Sequence, residues 1–215
     1  MPHSQVREYR PTPAIIYHSD SKDPRIGAVL RLAETCSYQA EHAQHVTRLA
    51  LRLFDELQPL HSLGRTERFW LETGALLHDI GWIEGWHAHN KTSLRVILTT
   101  PILPFNNKER LIVGSIARYH CKSLPKPEHD HFAALSPAEQ HTVSTLAAFL
   151  RLADGLDSTH QSLVQNINCE LAPDEVILHC KVVSPARDDR LAALEKSDLF
   201  ERVFARRVLV KWNTK

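Results

Sequence analysis

The segment SYQAEHAQHVTRLALRLFDEL, residues 37 to 57, sets Val46, Leu49, Ala50, Leu53 and Leu57 at i, i+3, i+4, i+7 and i+11. That spacing keeps the apolar side chains on one face of a 3.6-residue period and predicts an amphipathic helix. The stretch from Pro59 to Gly64 interrupts it, and RTERFWLETGALLHDIG resumes the helical pattern, with Gly81 placed to stop it. After a polar loop, HNKTSLRVILTT and KERLIVGSIARYH predict two further helices, the first ended by Pro101 and Pro104. The run PAEQHTVSTLAAFLRLADGLD carries its own start signal: Ser136 as N-cap, Pro137 at the first helical position and Glu139 completing a capping box. From about residue 164 the period changes to two. INCEL and VILHCKVV flank the turn APDE, and pairing Leu171 with Val176 puts Ile167, Cys169, Val176, Leu178, Cys180 and Val182 on a shared face. A hairpin with both cysteines in its core is expected, followed by one helix over DRLAALEKSDLFERVF and a last strand RRVLVKW. The fold class that follows is mainly α: a helical bundle over 26–163 with a small C-terminal β-β-α-β extension over 164–215. Residues 1–25, with Pro2, Pro11, Pro13 and Pro24 around a strand-like AIIYH, predict an extended arm.

Composition narrows the function classes. A net charge of +1 gives no electrostatic signal for nucleic-acid binding. No apolar run reaches the ~18 residues of a membrane span, and MPHSQVREYRPTP has no signal-peptide core. The cysteines form no CxxC pair, so a reducing cytoplasm is the expected location. The chain has 14 histidines, and histidine is both the commonest metal ligand and the usual acid or base near neutral pH.

Their placement matters more than their number. In LLHDIGWIEGWHAHNKTS, His78 and Asp79 are adjacent, and on a helix they would point about 100° apart, so they cannot share one amphipathic face. A helix-cap reading accounts for the dyad alone: an imidazole at the C-terminal dipole and a carboxylate on backbone amides. Other residues favour a metal site. His42 lies four residues before Val46, on the buried stripe of its helix. Asp154 interrupts the apolar run LAAFLRLADGL, where an unpaired carboxylate would be costly to bury. His89 follows the dyad in the loop, and His120 ends IARYH. Imidazoles and carboxylates converging from separate helices are how helical bundles build metal sites, and mixed nitrogen and oxygen ligation suits Mn, Fe, Co, Ni or Zn, with Mg where carboxylates and water dominate.

The order HAQHV, LLHDIG, RLADGLD resembles the pattern of the HD-domain metal-dependent phosphohydrolases. The further stretches IARYHCK and LEKSDLFERVF make it similar to the C-terminal HD-type domain of the exopolyphosphatase/guanosine-pentaphosphate phosphatase family, over roughly residues 36 to 212. The resemblance implies a first divalent ion held by His42, His78, Asp79 and Asp154. For a second, it implies the dyad aspartate as a bridge with His89 and His120 as further ligands. Where related segments read like HHKHS this chain has HNKTS, so Asn90 and Thr92 replace two expected histidines, which leaves open one ion or two, or His87 as a substitute. In full-length members polyphosphate hydrolysis belongs to actin-like domains that these 215 residues do not include, so the resemblance carries over the HD site alone.

The expected function is a metal-dependent phosphohydrolase that uses activated water to cleave a phosphoester or pyrophosphate bond in a nucleotide-like small molecule. Lys91, Arg118, Lys122 and Arg151 stand one to three residues from proposed ligands and are the phosphate-contact candidates, with Lys126 behind them. Lys91 and Arg118 are also expected to act in catalysis beside Asp79, and Glu84 is the candidate general acid. His45 is expected beside the ligand shell or in solvent, His129 and His131 in a solvated loop, and Trp82 and Trp86 in the core or as a nucleobase shelf. A regulatory module that binds a nucleotide or alarmone without cleaving it is the alternative. The edge strand RRVLVKW offers a route to a homodimer.

Overall fold

The computed structural model describes residues 23–214. The N-terminal arm with AIIYH lies almost wholly outside them. The helices α1 (Ile26–Thr35), α2 (Ala40–Glu56), α4 (Arg65–Leu76), α5 (His89–Thr99), α6 (Asn107–Arg118) and α8 (Pro137–Gly155) form the bundle, with single turns α3 (Gln58–His61) and α7 (Asp130–Ala133) in two connections. The strands β1 (Val164–Leu171), β2 (Glu175–Val182) and β3 (Arg207–Thr214) follow, with α9 (Arg187–Glu195) and α10 (Asp198–Phe204) between the last two. The mainly α fold with a small C-terminal extension is as the periodicity predicts.

The apolar stripe of α2 is fully covered, with Val46, Leu49, Ala50, Leu53 and Leu57 all at 1 % exposure or less. It packs on α4, α8 and β1. One hydrophobic cluster joins this stripe to Phe149 of α8, to Ile167, Val176, Leu178 and Cys180 of the sheet, and to Phe200 of α10. Burying a leucine or phenylalanine fully is worth ~1.5–3 kcal/mol, so the sheet is held to the bundle as firmly as the helices to each other. A second cluster, with Leu32, Phe69, Leu76, Ile97 and Val113, fills the space among α1, α4, α5 and α6. Ser136 and Glu139 form the expected capping box of α8.

β1 and β2 are antiparallel with Leu171 opposite Val176, Cys169 opposite Leu178 and Ile167 opposite Cys180, the register the alternation predicts. Cys180 is buried, whereas Cys169 is half-buried and Leu171 lies exposed at the turn end. β3 joins β2 in parallel, which requires the crossover made by α9 and α10.

Three local differences from the sequence reading bear on the site. First, α4 stops at Leu76, so His78 and Asp79 lie in a turn that leads into a 3-10 helix, Ile80–Glu84. Ser93 of α5 competes for the backbone there: its hydroxyl donates to the His78 carbonyl (2.7 Å) and accepts from the Gly81 amide (2.9 Å). Gly81 is therefore a point of close approach, not a helix stop. A Cβ there would come within 2.0 Å of the His89 carbonyl oxygen and 2.7 Å of the Ser93 nitrogen. Second, His89 is the first residue of α5 and not part of the preceding loop. Third, DRLAALEKSDLFERVF forms two helices. The Ser197 hydroxyl donates to the Leu194 carbonyl (2.8 Å), and its carbonyl accepts from the Glu201 amide (2.9 Å), local bonds that end one helix and start the next, and the break at Lys196 turns that side chain towards α8.

Candidate metal centre

Six side chains named from sequence converge between α2, the turn after α4, α5, α6 and α8. His42 comes from the first turn of α2, His89 from the start of α5, and Asp154 from the last turn of α8, while His120 follows the end of α6 by two residues. Asp79 is central. Its Oδ2 lies 3.5 Å from Nε2 of His78 and 3.9 Å from Nε2 of His42, whereas its Oδ1 lies 3.3 Å from Nε2 of His89 and 3.4 Å from Nε2 of His120. Oδ1 of Asp154 completes the first side, 3.5 Å from His42 and 3.9 Å from His78. The groups His42–His78–Asp154 and His78–Asp79–His120 each have the spacing to hold a metal ion.

The far nitrogens of the rings are spoken for. Nδ1 of His78 donates to the Ala75 carbonyl (2.7 Å), Nδ1 of His120 to Ala117 (2.6 Å) and Nδ1 of His89 to Trp86 (3.1 Å). A carbonyl can only accept, so each of these rings carries a proton on Nδ1 and turns its Nε2 inwards, free to act as a ligand in the neutral form. Nδ1 of His42 faces the carboxylate of Asp157 at 2.8 Å, the kind of outer partner that fixes the orientation of a ligand-candidate histidine. Nε2 of His42, Nε2 of His78 and Oδ1 of Asp79 are buried and have no hydrogen-bond partner among the described residues. The Nε2 atoms of His89 and His120 face each other at 3.1 Å with no proton between them. Buried acceptors without donors are costly, and a cation is what would satisfy all of them together, so these residues fit the ion that the sequence pattern implies.

The electrostatics agree. Burial opposes the charged form of Asp154, but the Lys196 ammonium, 2.5 Å from its Oδ2, and His42 hold its carboxyl well below the usual range. Burial likewise opposes ionised Asp79, and it is positive charge at the His78 and His120 rings that draws its carboxyl below the usual range, a charge that an ion would supply in their place. Burial and the neighbouring His78 push His120 down to about 3, which keeps it unprotonated and open to an ion. Burial also works against a charge on His42, yet Asp154 and Asp157 lift it to about 9, so without an ion its Nε2 carries a proton that a metal would have to displace.

The remaining candidates divide. Arg118 is 5 % exposed, its Nη1 is buried without a partner, and it forms no ion pair among the described residues. Lys91 and Lys122 are exposed near the ligands, and Lys126 is exposed in the following loop. Arg151 is committed elsewhere: it pairs with Asp198 (2.6 Å) and donates to the Tyr119 carbonyl (3.1 Å). Glu84 is not brought to the cluster. It is exposed on the 3-10 helix with its carboxylate on Arg95. His87 is exposed, and His45 is buried with its Nδ1 accepting from Arg48. His129 and His131 are not simply solvated: the Tyr119 hydroxyl meets Nδ1 of His129 at 2.7 Å, and the two imidazoles stack. Trp86 is exposed, and Trp82 stands between it and His160.

Four residues of the site escape the sequence reading. Asp157, fully buried, holds His42 and accepts from the Ser162 amide. His160 lies flat on His42, with ring centroids 3.7 Å apart. Lys196 reaches Asp154 from beyond α9, and Cys121 places its Sγ 3.7 Å from Nε2 of His89. Asp157 and Cys121 adjoin named ligands in RLADGLD and RYHC, which was a usable signal. Lys196 had none, because its partner is 42 residues away.

Residues 25–202 match the family described as Ppx/GppA phosphatase, domain III. The chain belongs to this family. The match runs from the residue before α1 into α10, so this Ppx/GppA domain III includes every ligand candidate together with Lys196. No curated protein matches the chain. Among the described residues, no helix is long and apolar enough to cross a membrane.

Proposed function

We propose that the protein is a metal-dependent phosphohydrolase of the HD type, acting on a phosphoester or pyrophosphate bond in a nucleotide-like small molecule. The observation that carries this reading is Asp79, whose two oxygens face two separate histidine pairs. His42, His78, Asp79 and Asp154 would hold one divalent ion, and Asp79, His89 and His120 would contribute to a second. Ions bound there supply a water acidic enough to give hydroxide near neutral pH and offset charge on phosphoryl oxygens.

The chain's own residues do the rest. The carbonyls of Ala75, Trp86 and Ala117 and the carboxylate of Asp157 fix the ring orientations, so no rearrangement is needed at the moment of reaction. Arg118 is the best phosphate contact, since a buried guanidinium without a counter-ion is neutralised when an anion arrives. Lys91 and Lys122 would meet the exposed part of the substrate. Arg151 serves the packing of α10, and Glu84, tied to Arg95, leaves the general-acid role without an occupant. A cytoplasmic location suits four cysteines that form no disulfide. The outer edge of β3 supports pairing with a second copy, which sedimentation over a concentration series tests.

The decisive experiment is elemental analysis of protein purified without chelators, together with turnover of nucleotide and nitrophenyl phosphates in Mn or Mg. Bound metal and metal-dependent turnover are expected. Unchanged metal content and activity in an Asp79→Ala variant would sink the proposal. Nucleotide binding that persists in chelator with no turnover would instead favour the regulatory reading.

A further inference from the structure

We infer that Cys121 is a thiolate ligand of the second metal position, completing Asp79, His89 and His120, and that this position takes a thiophilic ion such as Zn, Fe(II) or Co. This inference rests on the metal-centre reading above and goes beyond it in ligand and in metal class.

The spacing of the donor atoms carries the argument. Nitrogen and oxygen ligands about 2.0–2.1 Å from a tetrahedral zinc lie about 3.3 Å apart, and a nitrogen and a thiolate sulfur at about 2.3 Å lie about 3.6 Å apart. Here the His89–His120 separation is 3.1 Å, Asp79–His89 is 3.3 Å and Asp79–His120 is 3.4 Å. Cys121 Sγ stands 3.7 Å from His89 Nε2, and the donor atoms of His89, His120 and Cys121 all lie within 4.8 Å of one another. Four of the six donor separations of such a tetrahedron are thus already near length. The first position differs: its separations of 3.5 to 3.9 Å are wider and leave room for water or a substrate oxygen.

The replacement of two expected histidines also gains a reason. Asn90 is buried, and its side-chain amide donates to the carbonyls of Arg118 (3.2 Å) and Cys121 (3.4 Å). It therefore ties down the backbone on both sides of His120 and holds Cys121 against His89. Thr92 turns away to Glu84. The chain has exchanged imidazoles on α5 for one sulfur beyond α6. A thiolate favours borderline and soft ions over Mg or Mn, and the thiol proton leaves to solvent as the sulfur–metal bond forms.

The test is cobalt titration of chelator-treated protein, read by absorption. Two ions per chain are expected, one of them giving a near-ultraviolet thiolate-to-cobalt charge-transfer band. Cys121→Ser should lose that band and fall to one ion per chain, while Cys169→Ser keeps both. Cobalt bound without a thiolate band, or a band that survives in Cys121→Ser, overturns the inference and leaves the metal-centre reading standing. No cobalt bound at all overturns both. Alkylation of the unaltered protein by iodoacetamide, mapped by peptide mass spectrometry, needs no variant to fold. Zinc should protect Cys121, and labelling unchanged by zinc counts against the inference.

Discussion

The two sides of Asp79 are built by different means. On one side His42 is backed by a buried carboxylate, covered by the flat ring of His160, and joined by an aspartate that carries its own ammonium. On the other, His89 and His120 are aimed only by backbone carbonyls, and the nearest further donor is a sulfur. The first side draws on α2, α8 and the C-terminal extension, the second on the α5–α6 pair, and both on the turn after α4 that carries His78 and Asp79. Charged second partners make a strong but demanding site, whereas carbonyls fix geometry without adding charge. The contrast teaches that one bridging carboxylate can join a site of hard, charged partners to one of softer character.

The largest expected effect breaks both sides together. Asp79→Ala should remove bound metal from each and lower turnover by more than about 100-fold, because changes to outer partners alone cost roughly 10- to 100-fold. Elemental analysis and steady-state kinetics check it. Asp157→Asn should separate the sides: first-side affinity falls by about 10- to 100-fold in competition with a chelating dye, while the cobalt–thiolate band persists. Gly81→Ala should strike the second side, forcing α5 off the turn at a cost of about 1–3 kcal/mol, read as a lower midpoint in urea denaturation. Arg118→Met removes an unpaired buried charge. It should raise stability of the ligand-free protein by about 1 kcal/mol while raising KM for a phosphorylated substrate. A lower KM would reject Arg118 as the phosphate contact. The smallest effect is on Lys196→Met, which should tighten first-side metal binding by less than about tenfold.

Most helices and the hairpin register were legible because one face of each is buried and its period survives in the sequence. The capping box at Ser136 and the Leu171–Val176 pairing are examples. What escaped depends on contacts across the chain. Gly81 reads as a helix stop, and only the approach of the His89 carbonyl shows why no side chain fits there. DRLAALEKSDLFERVF keeps a helical composition through its break, since the cause lies in the Ser197 bonds and in Asp154. In the site, sequence order named the six side chains that converge but gave no means of assigning partners such as Lys196. Arg151 and Glu84 show the converse. Nearness in sequence to a ligand made them candidates, and Asp198 and Arg95 claim them in space.

The Lys196 ammonium on Asp154 has a consequence for ion choice. It is a permanent, fold-anchored positive charge beside the first position, and it cancels part of the field that Asp79 and Asp154 create. A sodium or potassium ion, with a single charge and little to gain from imidazole nitrogens, would find too little attraction left. A doubly charged ion gains about twice as much from the same carboxylates and can bind beside the ammonium. The lysine would thus set a threshold of charge beside Asp154, disfavouring the abundant monovalent ions without touching them.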